Sequence, residues 1–161
     1  MKVIGIIGWK NSGKTFFATQ IINKLSKKGL RVASIKRAHH AFEIDKPNTD
    51  SYLHRKAGSE QVIVSSAKRW VKISEVNNQK EKTLNELLDE LIAVDIVIVE
   101  GFKNENHPKI EIIHQTDKNY LFKKNTNVIA LISDNRIDAN IQQFKKNEIN
   151  VIVDFIINYN E

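Results

Sequence analysis

The sequence predicts an α/β fold with three layers, in which a mostly parallel sheet is flanked by helices. Apolar, strand-like runs alternate along the chain with segments of helical periodicity, and this alternation is typical of parallel sheets. The runs DIVIV and VIALI are almost wholly apolar, as strands covered on both faces must be. Only 2 Pro and 6 Gly interrupt the 161 residues, so most of the chain is expected to be regular structure.

The first strand and helix lie at the start of the sequence. Lys2–Ile7 contains four aliphatic side chains and is predicted to be a buried strand. From Lys14 onwards, apolar side chains recur with the spacing of one helix face. Gly29, which follows two lysines, predicts the end of this helix, and Arg31–Ile35 is predicted as the second strand. The apolar helix face consists of Ala18, Ile21, Ile22 and Leu25.

A polar loop containing Pro47 separates these elements from the middle of the chain. Ser51 is predicted to cap a short helix that runs through Lys56 and ends at Gly58. Gln61–Val64 is predicted as the third strand, and Trp70–Ile73 as either a strand or one arm of a hairpin.

The second half of the chain holds the remaining elements. Thr83–Glu86 has the spacing of a capping box and precedes a stripe of leucines, so a helix is predicted there. Asp95–Val99 and Val128–Ile132 are predicted strands, whereas Lys109–Ile113 alternates less clearly. Val151–Tyr159 is predicted as a helix that could begin as a strand.

Composition excludes several classes of protein. The chain has no cysteine, which excludes disulfide scaffolds, zinc–thiolate sites and cysteine nucleophiles. No apolar run approaches the roughly 18–20 residues that a membrane span needs, and the amino terminus lacks the pattern of a secretory signal. We therefore expect a cytoplasmic protein with no membrane partner, built as one domain over residues 1–161.

The net charge is +6, from 25 Lys and Arg against 19 Asp and Glu. A basic balance can indicate a nucleic-acid partner. Here the lysines are spread along the chain, and only five of the basic residues are arginine, the usual residue for base readout. We therefore expect no nucleic-acid partner.

Residues 8–15, GWKNSGKT, match the phosphate-binding pattern G-x-x-x-x-G-K-[ST] between a predicted strand and a predicted helix. Glycines allow backbone N–H groups to approach phosphate oxygens, and the helix amino terminus adds partial positive charge. Lys14 is expected to bridge the terminal phosphates, and the Thr15 hydroxyl to bind Mg²⁺. This context predicts a P-loop NTPase, whose phosphate-binding residues would be Gly8, Lys10, Asn11, Ser12, Gly13, Lys14 and Thr15.

An acidic residue should complete the Mg²⁺ site, and two carboxylates bracket one predicted strand. Gly8 follows the carboxyl end of its own strand, so the metal should lie at that edge of the sheet. Glu100 is at the carboxyl end of its strand, and Asp95 is at the opposite end. Glu100 is therefore the predicted metal ligand, although a solvated strand-end carboxylate is the simpler alternative.

Two further loops should reach the same edge. After the second strand, Asp45 could approach Mg²⁺ and Lys46 could meet phosphate, whereas the adjacent His39 and His40 would form a poor metal pair. His54, His107 and His114 fit no metal spacing and are expected on the surface. Ser133 and Asp134 follow another strand.

The Asp134 carboxylate could accept hydrogen bonds from guanine N1–H and the 2-amino group together, donors that adenine does not offer as a pair. The usual guanine motif Asn-Lys-x-Asp is absent. An equal alternative is that Asp134 merely forms a turn. The residues alone therefore do not decide whether guanine or adenine is bound.

The chain resembles the molybdopterin-guanine dinucleotide biosynthesis protein B family. The resemblance rests on GWKNSGKT at 8–15, IKRAHH at 35–40, DKPNTDS at 45–51, RKAGS at 55–59, RW at 69–70 and VEGFK at 99–103, and IALISD at 129–134 extends it. The chain departs from the family pattern at Phe16, Arg37, Ala38, Ala41, Asn48 and Thr49, outside the P-loop.

The resemblance implies a GTP-binding adaptor with slow Mg²⁺-dependent GTPase activity at most. It implies a homodimer that assists the guanylyltransferase joining GMP to molybdopterin. It also implies that the 45–51 loop, with Lys46, Asp50 and Ser51, lies near the nucleotide or the pterin. A small-molecule kinase is the alternative, but a kinase commonly needs an arginine-rich lid, which a chain with five arginines does not show.

Overall fold

The structure is a computed structural model that describes residues 1–38, 42–77, 80–115, 117, 119–124 and 127–160. The chain forms two compact units. The first comprises residues 1–37 and 84–161, and the second comprises residues 38–83. That the chain folds as one domain stays a prediction.

Eight strands and four α-helices are assigned in the described residues. The strands are β1 (Lys2–Ile7), β2 (Val32–Lys36), β3 (Gln61–Ser65), β4 (Trp70–Ser74), β5 (Ile96–Glu100), β6 (Lys109–Ile112), β7 (Val128–Ile132) and β8 (Gln142–Phe144). The helices are α1 (Lys14–Lys27), α2 (Asp50–Lys56), α3 (Leu84–Leu88) and α4 (Ile149–Asn158), with a 3₁₀ turn at Leu121–Lys123.

Six strands of the first unit form one sheet in the order β2-β5-β1-β6-β7-β8, and every neighbouring pair is parallel. The predicted α/β fold is therefore confirmed. In the register, Glu100 at the end of β5 lies opposite Ile6 of β1 on one side and Lys36 of β2 on the other. The loop after β1 thus starts beside the acidic end of β5.

Apolar side chains cover both faces of this sheet. On one face, Phe17, Ile21 and Leu25 of α1 pack with Ile152 and Ile156 of α4 against the strands. On the other face, the leucines of α3 pack against Val97 and Val99, and the 3₁₀ turn covers Leu131. Burial on both faces is what makes the strands continuously apolar.

The second unit contains α2 and an antiparallel hairpin of β3 and β4. Arg55 on α2 lies between two carboxylates of this unit, with its guanidinium 2.6 Å from Asp45 and 2.5 Å from Glu75. Apolar side chains of the hairpin remain exposed, among them Ile63 and Trp70. Arg55 thus links α2 to Asp45 before it and to Glu75 after β4.

Several element boundaries differ from those predicted. α3 ends at Leu88, and beyond it Leu91 still packs against the sheet, whereas Ile92 is 87% exposed. The short strand β8 was not predicted, since two glutamines in three residues give no apolar pattern. The carboxyl-terminal segment is wholly helical, and it begins at Ile149.

No helix in the described part of the chain has both the length and the apolar character of a membrane span.

The expectation that His107 lies on the surface is wrong. His107 is 6% exposed, and neither of its ring nitrogens has a hydrogen-bond partner among the described residues. Its ring occupies the space above Gly5, where a Cβ would lie 2.5 Å from Nε2. The neighbouring Lys109 is fully buried and donates from Nζ to the His107 carbonyl at 2.7 Å.

Burial, together with the nearby Lys109 ammonium, lowers the pKa of His107 to about 4. The unfolded chain therefore binds a proton on this ring between pH 6.5 and 4 while the folded chain does not, so stability falls as the pH is lowered through this range. We expect wild type to lose about 2 kcal/mol more than His107→Phe between these two pH values. Urea unfolding of both proteins at several pH values checks this, and parallel pH profiles would contradict it.

Candidate nucleotide-binding site

Residues 8–13 form the loop between β1 and α1, and three of them require an unusual backbone. Gly8 has φ +153° and Gly13 has φ +96°, while Asn11 adopts φ +64°. A Cβ on Gly8 would lie 2.5 Å from both the Ile112 carbonyl oxygen and Ser12 Oγ. The loop therefore needs glycine at its start, as a backbone cradle for phosphate does.

Ser12 supplies a test of whether this loop fits a phosphate. Its side chain is buried, yet Oγ has no hydrogen-bond partner in the part of the chain that the structure describes. A buried hydroxyl without a partner is costly, and a phosphate oxygen in the loop would provide the missing acceptor. The residues therefore fit the bound anion that the motif implies.

Lys14 lies folded across the loop. Its Nζ donates to the Trp9 carbonyl at 2.7 Å, so the ammonium is held above the backbone amides. Burial is the main cause that lowers the pKa of Lys14, and the Glu100 carboxylate opposes this shift. The Lys14 ammonium is thus partly dehydrated, and its hydrogen bond to the Trp9 carbonyl can be replaced by one to a phosphate oxygen.

The start of α1 meets the end of β5 at a pair of oxygen groups. Thr15 Oγ1 donates to Glu100 Oε1 at 2.8 Å, and the Glu100 side chain is 14% exposed. Lys36 Nζ lies 3.0 Å from the same carboxylate oxygen. A hydroxyl beside a carboxylate suits Mg²⁺, which is usually bound by one or two protein oxygens plus water and phosphate.

Asp95 lies at the other end of β5 and serves a different purpose. Its carboxylate accepts hydrogen bonds from the Arg31 guanidinium at 2.6 and 3.1 Å and from the Arg31 backbone N–H at 2.8 Å. These hydrogen bonds lower the pKa of Asp95 to about 2. Asp95 thus ties the start of β2 to β5, far along the strand from the P-loop.

A cavity of about 620 Å³ opens where β7 and β8 end. Ser133 and Asp134 line it, and Ser133 Oγ accepts a hydrogen bond from the Asn135 backbone N–H at 3.3 Å. Lys146 Nζ lies 2.7 Å from Asp134 Oδ2. A base that used this carboxylate would therefore have to compete with an exposed ion pair.

The remaining predicted site residues lie in the second unit. The Asp45 carboxylate accepts two hydrogen bonds from Arg55, at 2.6 and 3.0 Å, and this pairing lowers the pKa of Asp45. The Lys46 carbonyl accepts from the Thr49 hydroxyl, and Asp50 and Ser51 begin α2. The roles of these residues towards metal, phosphate or pterin stay predictions.

His39, His40 and Ala41 lie outside the described residues. In the described part of the chain, no three His, Asp or Glu side chains form a group that could hold a metal. A site made of Thr15, Glu100 and phosphate oxygens does not need such a group.

Two side chains of the site had no role assigned from sequence. Lys36 is expected at this edge, because it ends the strand next to Glu100 and parallel ends share an edge, but its pairing with Glu100 was not predicted. Trp9 occupies a variable position of the motif and gave no signal. Its indole N–H donates to the Asn119 carbonyl, and Lys103 Nζ lies 5.2 Å from the ring centre.

Comparison with known proteins gives consistent results. Residues 3–134 match the family described as Molybdopterin guanine dinucleotide synthesis protein B. The chain is 33% identical over 159 residues to the molybdopterin-guanine dinucleotide biosynthesis adapter protein of Haemophilus influenzae, with 98% of this chain and 88% of that protein covered. Identity to the protein of the same name from Escherichia coli K12 is 30% over 164 residues, covering 98% and 92%.

Solved structures agree on the fold. A crystal structure of molybdopterin-guanine biosynthesis protein B is similar with a TM-score of 0.76 and 25% identity, over 96% of this chain and 97% of that one. The crystal structure of Bacillus subtilis MobB gives a TM-score of 0.77 at 22% identity, over 98% and 96%. The latter likeness shows the fold alone.

Proposed function

Since the chain belongs to the molybdopterin guanine dinucleotide synthesis protein B family, we propose that it acts as a Mg-GTP-binding adaptor. Its place in molybdopterin guanine dinucleotide biosynthesis follows from the family, and the resemblance inferred from sequence is confirmed. The observation that carries the nucleotide proposal is the loop at 8–15, with its unpartnered buried Ser12 hydroxyl and the Thr15–Glu100 pair.

In this proposal the P-loop amides and Lys14 hold the terminal phosphates. Thr15 and Glu100 would hold Mg²⁺, which neutralises phosphate charge when bound. Lys36 Nζ lies 3.0 Å from Glu100 Oε1, the same oxygen that accepts the hydrogen bond from Thr15. Asp134 would accept from the guanine edge once Lys146 releases it.

We expect hydrolysis by the chain alone to be slow. A P-loop arranges the nucleotide for attack at the γ-phosphate, and an arginine finger can add about 10³–10⁵ in rate. Here Arg31 and Arg55 are bound to carboxylates, and the Arg37 guanidinium lies 5.5 Å over the Phe102 ring. Each of these three guanidinium groups would have to leave its present contact to serve as the finger.

Joining GMP to molybdopterin requires attack at the α-phosphate, with pyrophosphate as the leaving group. A nucleotide clamped by its β- and γ-phosphates is poorly arranged for this reaction, so the proposal assigns the transfer to a partner guanylyltransferase. The test is incubation of the protein with GTP, Mg²⁺ and molybdopterin, with and without that partner. Dinucleotide should form only with the partner, and pyrophosphate with dinucleotide in its absence would make this chain the transferase.

We further propose that the protein is a homodimer. The support lies in the hairpin of the second unit, where Trp70 is 69% exposed and Ile63 is 66% exposed. An exposed aromatic beside β-branched residues suits a subunit interface. Light scattering at micromolar concentration should give twice the 18.5 kDa of one chain. Trp70→Ser should increase the monomer fraction, and a monomeric wild type at every concentration would reject the proposal.

A further inference from the structure

A cavity of about 490 Å³ opens beside the P-loop within the first unit. Its walls are Trp9 after β1, residues 103–106 after β5, residues 119–121 and 124 after β6, and Asn127 before β7. Because β5, β1 and β6 are adjacent parallel strands, the loops that follow them leave the edge where such sheets bind ligands, whereas Asn127 lies at the amino end of β7. The volume is within the range of small-molecule sites, and neither the phosphates nor the Mg²⁺ proposed above would use it.

The lining has a mixed but specific chemistry. The amides of Asn104 and Asn106 carry both donors and acceptors, which pair with a heterocycle edge that alternates the two. Glu105 adds a carboxylate acceptor, and Lys124 adds a cation for an anionic group. Tyr120 adds an aromatic ring to the lining, with Lys123 Nζ 5.4 Å from the ring centre.

One wall of the cavity is held in place by a buried carboxylate. Glu111 accepts hydrogen bonds from the backbone N–H groups of Leu121 at 2.7 Å and Phe122 at 2.8 Å. Tyr120 is stacked on Phe122 with the ring centres 5.4 Å apart. On the opposite side, Asn127 donates to the Asn106 side chain. The site is therefore largely formed before any ligand arrives.

Trp9 joins this cavity to the phosphate loop. Its carbonyl accepts the hydrogen bond from Lys14, and its indole N–H donates to the Asn119 carbonyl. Lys103 lies over the same ring. A ligand in the cavity would thus touch a residue that the P-loop lysine also holds.

We propose that this cavity binds a phosphorylated pterin next to the nucleotide. A phosphorylated pterin combines a planar ring, an amide-like edge and an anionic arm. The ring would pack near Tyr120, the edge would bond to the asparagines and Glu105, and the phosphate would meet Lys124. A purine monophosphate shares this chemistry, and the test separates the two. The choice of a pterin rests on the proposed function, since the family makes a dinucleotide from a pterin and a guanine nucleotide.

The test is calorimetric titration of the full chain with neopterin monophosphate, unphosphorylated neopterin and GMP. Neopterin monophosphate should bind in preference to the other two. Lys124→Ala should weaken its binding about tenfold, because a charge-assisted contact is lost. Asn104→Ala should weaken binding of both pterins. Lys27→Ala, which removes an exposed lysine in the last turn of α1, should leave all values unchanged.

Three results would each overturn the proposal. They are absence of neopterin monophosphate binding, binding that neither Lys124→Ala nor Asn104→Ala changes, and GMP binding that is as tight as that of the pterin phosphate and is weakened by Lys124→Ala. Lys14→Ala separates the two sites, because it should weaken Mg-GTP binding and leave the pterin probe bound. If wild type binds the pterin probe as predicted but not Mg-GTP, the cavity assignment stands and the nucleotide proposal fails.

Discussion

Lys14→Ala is expected to weaken Mg-GTP binding by about ten- to a hundredfold. The lysine ammonium is held by a single neutral contact, the Trp9 carbonyl at 2.7 Å, and can turn to the phosphates. A charge-assisted contact to phosphate contributes about 1.5–3 kcal/mol, and its loss gives an affinity change of this size. Titration of both proteins by calorimetry measures it.

Lys27→Ala is the matched control for this prediction, since Lys27 is an exposed lysine in the last turn of the same helix. Its affinity for Mg-GTP should equal that of wild type. Circular dichroism should show that both variants keep the wild-type fold. If Lys14→Ala binds Mg-GTP as tightly as wild type, the loop does not bind phosphate as proposed.

Glu100→Gln is expected to weaken the binding of Mg²⁺ in the GTP complex by about ten- to a hundredfold. Asp95→Asn is expected to leave this affinity nearly unchanged. The two carboxylates bracket β5, with Asp95 just before the strand and Glu100 at its end. Glu100 lies 2.8 Å from the Thr15 hydroxyl, whereas Asp95 is engaged by Arg31 at the opposite end. The amide keeps the shape of the side chain but loses the charge that attracts the cation.

The Mg²⁺ dependence is measured by titrating GTP at a series of Mg²⁺ concentrations for wild type and both variants. Thermal unfolding in the absence of nucleotide serves as the control, because Asp95→Asn should lower stability by disturbing the Arg31 pair. If Asp95→Asn weakens Mg²⁺-dependent binding more than Glu100→Gln does, the metal is bound at the amino end of β5 and the proposed Mg²⁺ site is wrong.

The P-loop edge of the sheet was predictable because local and global signals agree there. The motif, the strand before it and the helix after it each indicate the same geometry, and α1 begins at Lys14 as predicted. Placing Glu100 beside Thr15 needed only the rule that parallel strands end at one edge. Glycines at 8 and 13 mark the loop, since Gly13 has a positive φ that other residues rarely adopt.

Other features depend on contacts between distant parts of the chain, which the local sequence pattern does not predict. Lys109 and Glu111 are fully buried on one face of β6, whereas the alternation in KIEI would indicate that this face is open to solvent. His107 is buried because it fills the space over Gly5, a contact between distant parts of the chain. The cavity beside Trp9 is likewise assembled from loops separated by more than ninety residues.

The measurement that tests the central claim most directly is a side-by-side calorimetric titration of the wild-type chain with GTP and ATP, each with and without Mg²⁺. The account predicts that Mg-GTP binds at one site per chain, and that its affinity falls when Mg²⁺ is removed. It also predicts that ATP binds more weakly, because adenine offers no donor pair to Asp134. A chain that binds neither nucleotide, or that binds ATP as tightly as GTP, would contradict it.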